Sequence, residues 1–185
     1  MELINKYLPK YSFRETHARD VLASPEIVME SALAYRPDSD PLFRTAIALR
    51  ELPMRMFSVL GGKHETAPAP FGFSNFTLLE SWPGRELAFG LVGRFWQSDY
   101  GLVPIADGAA FQAFGTPGVP KLVLGFSATS QRNGKTRLVT ETRVFCPDRD
   151  TYRSFVPYWY LIRPVSGLIR GRALKSIQRA SEGSQ

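Results

Sequence analysis

Only one cysteine, Cys146, occurs in the 185 residues, so no internal disulfide can form, and the two histidines, His17 and His64, do not complete a zinc-type ligand set beside it. Neither a metal nor a cofactor is expected. Long apolar runs are missing too: strictly apolar stretches such as Leu122–Leu124 span a few residues, against the about 20 that cross a bilayer. Met1–Lys10 has no apolar centre of the kind a signal peptide carries. The expectation is a cytoplasmic protein with no transmembrane segment. Gly61-Gly62-Lys63 lacks the spacing of a phosphate loop, and Gly90 with Gly93 lacks that of a dinucleotide fingerprint. Gly125-Phe126-Ser127 runs on to Thr129 where a nucleophile elbow needs glycine.

What the chain does have is apolar and aromatic mass. Hydrophobic residues make up 44%, charged ones 22%, and aromatics 12%, which excludes a disordered, collagen-like or coiled-coil chain. The length suits one domain, residues 1–185, with a polar tail at 182–185 expected to fray. The net charge of +6 permits weak contact with a membrane surface or with phosphates.

Tyr11–Leu22 alternates as a strand does. Ser24-Pro25-Glu26 then supplies an N-cap, a proline at N1 and an acid in the first turn, and Ile27, Val28, Ser31, Ala32 and Tyr35 repeat at helical spacing up to Arg36-Pro37. Asp40-Pro41 repeats the signal and predicts a second short helix to about Leu52. From Met54 to Cys146, runs rich in Phe, Val, Leu and Thr are separated by Gly62, Pro83-Gly84, Asp107-Gly108, Pro117-Gly118 and Asn133-Gly134, the pattern of an antiparallel meander. Asp148 is placed to cap a helix over Arg149–Ser181, where Tyr152, Phe155, Trp159, Ile162, Ile169, Ala173 and Ile177 share one stripe. Pro157 and Pro164 fall opposite that stripe, so the carbonyls they orphan face water.

Asn133-Gly134 suits a two-residue type I′ turn, which pairs Phe126 with Glu141, Leu124 with Arg143 and Leu122 with Phe145. On that register Glu141 and Arg143 project from the apolar face, two residues apart. A ligand contact, an internal salt bridge and, after a one-residue slip, solvent exposure are the readings open to them. At Pro83-Gly84, a loop of two or four residues puts Phe76, Leu78, Leu87, Phe89, Leu91 and Phe95 on one face, with Arg94 and Trp96 on the other. His17 shares its strand face with Glu15 and Phe13 and is a candidate base, although a lone histidine is more often structural. Tyr158 and Tyr160 can reach a cavity mouth with their hydroxyls.

The entry Ala23-Ser24-Pro25-Glu26-Ile27-Val28 after the first strand, and the closing Arg149–Ser181 helix, resemble the helix-grip fold of the SRPBCC superfamily of START, polyketide-cyclase and coenzyme-Q-binding-like proteins. Glu86–Trp96, Thr140–Val144 and Tyr158–Arg170 are similar to a bacterial branch of it without an assigned activity. The resemblance implies an α+β fold: a curved antiparallel sheet of six to seven strands wrapped on a long C-terminal helix, with two short helices after the first strand. It also implies a cavity for a lipid, polyketide, sterol or other apolar molecule. Catalytic residues differ between branches, so it transfers none.

The expected function is binding of a small hydrophobic or amphipathic molecule. Phe76, Phe89, Phe95, Phe126, Phe145, Phe155, Trp159 and Ile162 would form the walls, and Glu141 with Arg143 would orient a polar head. A cyclase, dehydratase or hydrolase in the same cavity is the alternative, with Glu141 or His17 as base and Arg143 steadying an enolate or carboxylate. A third is an interaction module without a cavity that docks through Trp96 or the last helix. Arg149, Arg153, Arg163, Arg170, Arg172, Lys175 and Arg179 read as a solvated face of that helix, and no specific nucleic-acid partner is expected, since no groove-reading element accompanies them.

Overall fold

Five antiparallel strands make up the centre of the structure, a computed structural model that describes residues 1–36, 73–97 and 99–183. They are β1 (Phe13–Val21), β2 (Thr77–Trp82), β3 (Glu86–Val92), β4 (Lys121–Ser130) and β5 (Thr136–Phe145). Their order is β1-β5-β4-β3-β2, a four-strand meander whose last strand takes β1 as its outer neighbour. The sheet is thus an open α+β sheet of five strands among the described residues, where six to seven were expected. The helix expected from Asp40-Pro41 to Leu52 lies outside the described residues.

Helices cover both faces of the sheet. On one face lie α2 (Pro25–Ala34) and the long closing helix α4 (Arg149–Glu182); on the other lie two six-residue helices, α1 (Glu2–Tyr7) and α3 (Gly108–Ala113). The start of α2 is as the sequence predicts, with Ser24 Oγ accepting from Ile27 N and Pro25 in the first turn. Asp148 caps α4 through Thr151 N at 2.7 Å, and its second oxygen accepts from Gly118 N at 2.8 Å, tying the approach to β4 to the helix start. Pro157 and Pro164 lie inside α4 on its exposed side.

The two short helices were not expected. The buried Glu86 carboxylate accepts from the backbone N–H groups of Glu2 and Leu3 at 2.8 and 2.7 Å, so a carboxylate on β3 supplies the N-terminal cap that α1 lacks locally. Asp107-Gly108 reads as a turn in sequence, yet Asp107 Oδ1 accepts from Ala110 N at 2.8 Å and opens α3. Gly90 leaves room for this layer, because a Cβ there would stand 2.7 Å from Leu79 and 2.8 Å from Phe111.

Hairpin geometry departs from expectation at both loops. Between β4 and β5, Gly134 N donates to Gln131 O and Gln131 N to Lys135 O, a three-residue loop with Gly134 at φ +76°. The extra residue moves the register by one, so Phe126 faces Thr140, Leu124 faces Thr142 and Leu122 faces Val144. Glu141 is opposite Gly125 and Arg143 opposite Val123, on the other side of the sheet from Phe126. Between β2 and β3 the loop also holds three residues, but a bulge at Leu79 adds a compensating offset and Leu78 still faces Phe89. On the face expected to be inward, Leu87, Phe89, Leu91 and Phe95 are buried and Phe76 is partly buried, but Leu78 is exposed, and the buried apolar residue of β2 is Leu79 at the bulge.

Three clusters of buried apolar side chains result. Under α2 and the end of α4 lie Val28, Met29, Phe89, Phe126, Leu138 and Ile177, and under the start of α4 lie Phe13, Leu91, Phe95, Phe155, Trp159 and Ile162. The third, with Leu3, Ile4, Tyr7, Phe111 and Val123, belongs to the opposite face. Tyr152, expected on the buried stripe of α4, is half-exposed and stacks on Phe13 at 5.2 Å.

Two glycines give opposite expectations. Gly171 is helical with open space where its Cβ would be, so Gly171→Ala raises stability by about 0.5–1 kcal/mol through helix propensity. Gly134 holds a left-handed conformation, so Gly134→Ala lowers stability by about 1 kcal/mol. Urea denaturation of the two variants should move the midpoint in opposite directions.

Candidate functional site

Between the sheet and α4 lies a cavity of about 80 Å³. Phe76, Phe95, Phe155, Tyr158 and Trp159 form its aromatic wall, and Leu122, Leu124, Val144 and Ile162 add aliphatic surface. The rings interlock: Phe155 is 6.4 Å from Phe95 and 6.1 Å from Trp159, while Phe13 on β1 lies 5.1 and 5.3 Å from Phe155 and Trp159. At the other end stand Thr142, Ser166 and Arg170.

That polar end is built by two elements. Odd-numbered β1 residues and even-numbered β5 residues face α4, which brings Glu15, His17, Thr140 and Thr142 onto one surface. From α4, Arg170 Nη1 donates to Glu15 Oε2 at 2.6 Å and Nη2 to Thr142 Oγ1 at 2.7 Å. His17 Nε2 lies 2.8 Å from Glu15 Oε1. A carboxylate accepts only, so Nε2 carries a proton and Nδ1 is the nitrogen left for an exchanging proton. Gly167 of α4 sits directly over the pair, where a Cβ would stand 3.4 Å from Glu15 Oε1 and 3.6 Å from His17 Cε1. Beside His17, across the strand pair, the Thr140 hydroxyl is buried without a hydrogen-bond partner among the described residues.

Of the residues expected to line a pocket, Phe76, Phe95, Phe155, Trp159 and Ile162 do so. Phe89 and Phe126 lie on the same face but pack into the core beneath α2, with rings 6.3 Å apart. Glu141, Arg143 and Phe145 are on the opposite face, a correction that follows from the one-residue change in register. They are not in water. Glu141 accepts from Arg14 Nε and Nη2 at 2.9 and 2.8 Å and from Arg143 Nε at 2.7 Å, and Arg143 Nη1 reaches Leu8 O at 3.1 Å. Of the readings open to this pair, the internal salt bridge is the one formed. Phe145 packs against the third cluster. Trp96, expected at the surface, stands edge-on to Phe155 at 6.1 Å.

Arg170 is the site residue that sequence reasoning assigned elsewhere, among the solvated basic residues of the last helix. The signal was available: Trp159, Ile162, Ser166 and Arg170 follow one another at spacings of three and four on the stripe itself. Thr142 was hidden by the register. The buried Cys146 is no nucleophile, because burial pushes its thiol up to about 11 even against a Ser12 hydrogen bond.

The site therefore belongs to an α+β protein with an open antiparallel sheet and an aromatic-walled cavity under its closing helix, in which no helix among the described residues is long and apolar enough to cross a membrane. No family model and no curated protein matches the chain. Among solved structures, the crystal structure of protein MLL2253 from Mesorhizobium loti is similar at 16% identity, covering 86% of this chain and 98% of that one with a TM-score of 0.31. At that score the likeness transfers neither architecture nor activity.

Glu141 and Glu80 are both held below the ordinary carboxylate value. Burial pushes Glu141 up, but hydrogen bonds and charge from Arg14 and Arg143 outweigh it and hold the carboxyl below its ordinary value. Glu80 is held at about 2 by hydrogen bonds from Lys6 and then Tyr7, whose own hydroxyl is pushed up to about 12 by burial and by Glu80. Carboxyls depressed in the folded state stabilise it above their unfolded value of 4.5 and lose that contribution as pH falls through the folded values. Calorimetry from pH 7 to pH 2, a span set by that linkage, should show the unfolding temperature dropping below about 4.5, and a smaller drop for Glu80→Gln. At pH 7, Glu141→Leu should cost about 3 kcal/mol, since it leaves the Arg143 charge buried and uncompensated.

Proposed function

We propose that the protein binds a small hydrophobic or amphipathic molecule between the sheet and α4, in the manner of the helix-grip domains its sequence resembles. The observation that carries this reading is the cavity itself, aromatic at one end and closed at the other by the Arg170 guanidinium and the Thr142 hydroxyl. The ring or chain of the ligand would lie among Phe95, Phe155 and Trp159, and a carbonyl or carboxylate would meet Arg170. The volume of about 80 Å³ is below the roughly 300–1,000 Å³ of common ligand pockets, so the space accepts one ring or a short branched chain. A larger ligand requires α4 to lift from the sheet. Pro157 and Pro164, each of which removes a helical hydrogen bond, are the places where it would bend.

The Glu15–His17 contact, which lies behind the cavity wall and joins it through Arg170, favours a second reading, an enzyme acting on the same molecule. Glu15 would orient the imidazole, His17 Nδ1 would take a proton, and Arg170 would hold the developing oxyanion. Arg143 and Glu141, on the opposite face, take no part.

Native mass spectrometry of the freshly purified full chain, followed by denaturing extraction, tests the binding reading. A releasable mass is expected on the wild type, absent from Ser166→Trp, which fills the cavity, and bound about 10–100-fold more weakly by Arg170→Met, the loss expected for a charge-assisted hydrogen bond. No mass on the wild type, or the same mass on Ser166→Trp, overturns it. For the enzyme reading, the extracted compound should change mass on incubation with the wild type and remain unchanged with His17→Ala.

A further inference from the structure

A second concavity, of about 340 Å³, lies at the opposite face, between the end of α1, the segment after α3 and the neighbouring ends of β4 and β5. Its size falls in the range of small-molecule sites. The charges on its wall are Lys6, Lys10 and Lys121, with no acidic residue among them. Lys6 is committed to Glu80 at 2.5 Å. Lys10 is exposed and has no acidic partner among the described residues.

Lys121 is half-buried. Its ammonium donates to the carbonyl oxygens of Phe114 at 3.1 Å and Gln112 at 3.4 Å and lies 4.7 Å from the centre of the Phe111 ring. Those two acceptors leave one of its three protons unassigned, and burial lowers its proton affinity with no carboxylate to offset the effect. Leu8, Val119 and Phe145 supply apolar floor beside it. An ammonium on an apolar floor without a counter-charge is stabilised by an anion that brings its own apolar body. A monoanion leaves water at lower cost than a phosphate dianion does.

We propose that this cleft binds a small organic carboxylate, with the carboxylate meeting Lys10 and Lys121 and the apolar body lying on Leu8, Val119 and Phe145. The site is independent of the cavity under α4, from which the sheet separates it.

Calorimetric titration of the full chain with octanoate, octanol and inorganic phosphate is the test. Octanoate should bind one to one, with octanol and phosphate at least tenfold weaker and with affinity falling as salt is raised. Lys10→Glu, at an exposed position, should weaken octanoate about tenfold, and Lys121→Met at least as much with the fold confirmed by circular dichroism. Arg170→Met should leave it unchanged. No octanoate binding overturns the inference, as does octanol or phosphate matching octanoate. Octanoate binding that survives both lysine variants but is lost in Arg170→Met overturns it too, while supporting the reading of the cavity under α4.

Discussion

The parity of one hairpin decides what each face of the sheet can do. With Gly134 in the left-handed region closing a three-residue loop, even-numbered residues of β5 point to α4 and odd-numbered ones away from it. Thr142 is thereby delivered to Arg170, and Thr140 to the side of His17. Glu141 and Arg143 are delivered to the opposite layer, where Leu8 O and Arg14 complete their hydrogen bonds. Because β1 pairs with β5, the same parity carries Phe13, Glu15 and His17 to the α4 side.

The two faces solve the same electrostatic problem differently. Each buries a glutamate among hydrogen-bond donors, Glu141 with Arg14 and Arg143, Glu15 with Arg170 and His17. Burial of a carboxylate is costly, and each site answers with hydrogen bonds to both oxygens. The Glu141 network closes on itself and on a backbone carbonyl, which suits a support for the sheet. In the other, Arg170 and Thr142 border a cavity, and Glu15 is shared between the Arg170 guanidinium and the His17 imidazole.

Elements signalled by neighbouring residues were legible. Ser24-Pro25-Glu26 and Asp148 are local caps, and both helices begin where those residues place them. The stripe of Phe155, Trp159 and Ile162 named the buried side of α4, and the alternation around Phe89 named the side of β3 that packs beneath the α2 and α4 layer. By contrast α1 depends on Glu86, more than eighty positions along the chain, so no local pattern announces it. Asn133-Gly134 favours the two-residue turn in isolation, whereas in the fold, where β1 and α4 pack on β5, the loop is one residue longer.

Residue type and spacing by themselves determined the α+β composition, the cap and buried stripe of the closing helix, and the set of aromatics from which a cavity wall could be drawn. That information lies within a few residues along the chain, and helix caps and periodicity act at that range. Tertiary structure alone decided which charges the cavity receives. A side chain on a strand has two faces and no local preference between them, so a single extra loop residue exchanged Glu141 and Arg143 for Thr142, while a four-residue step along α4 brought in Arg170.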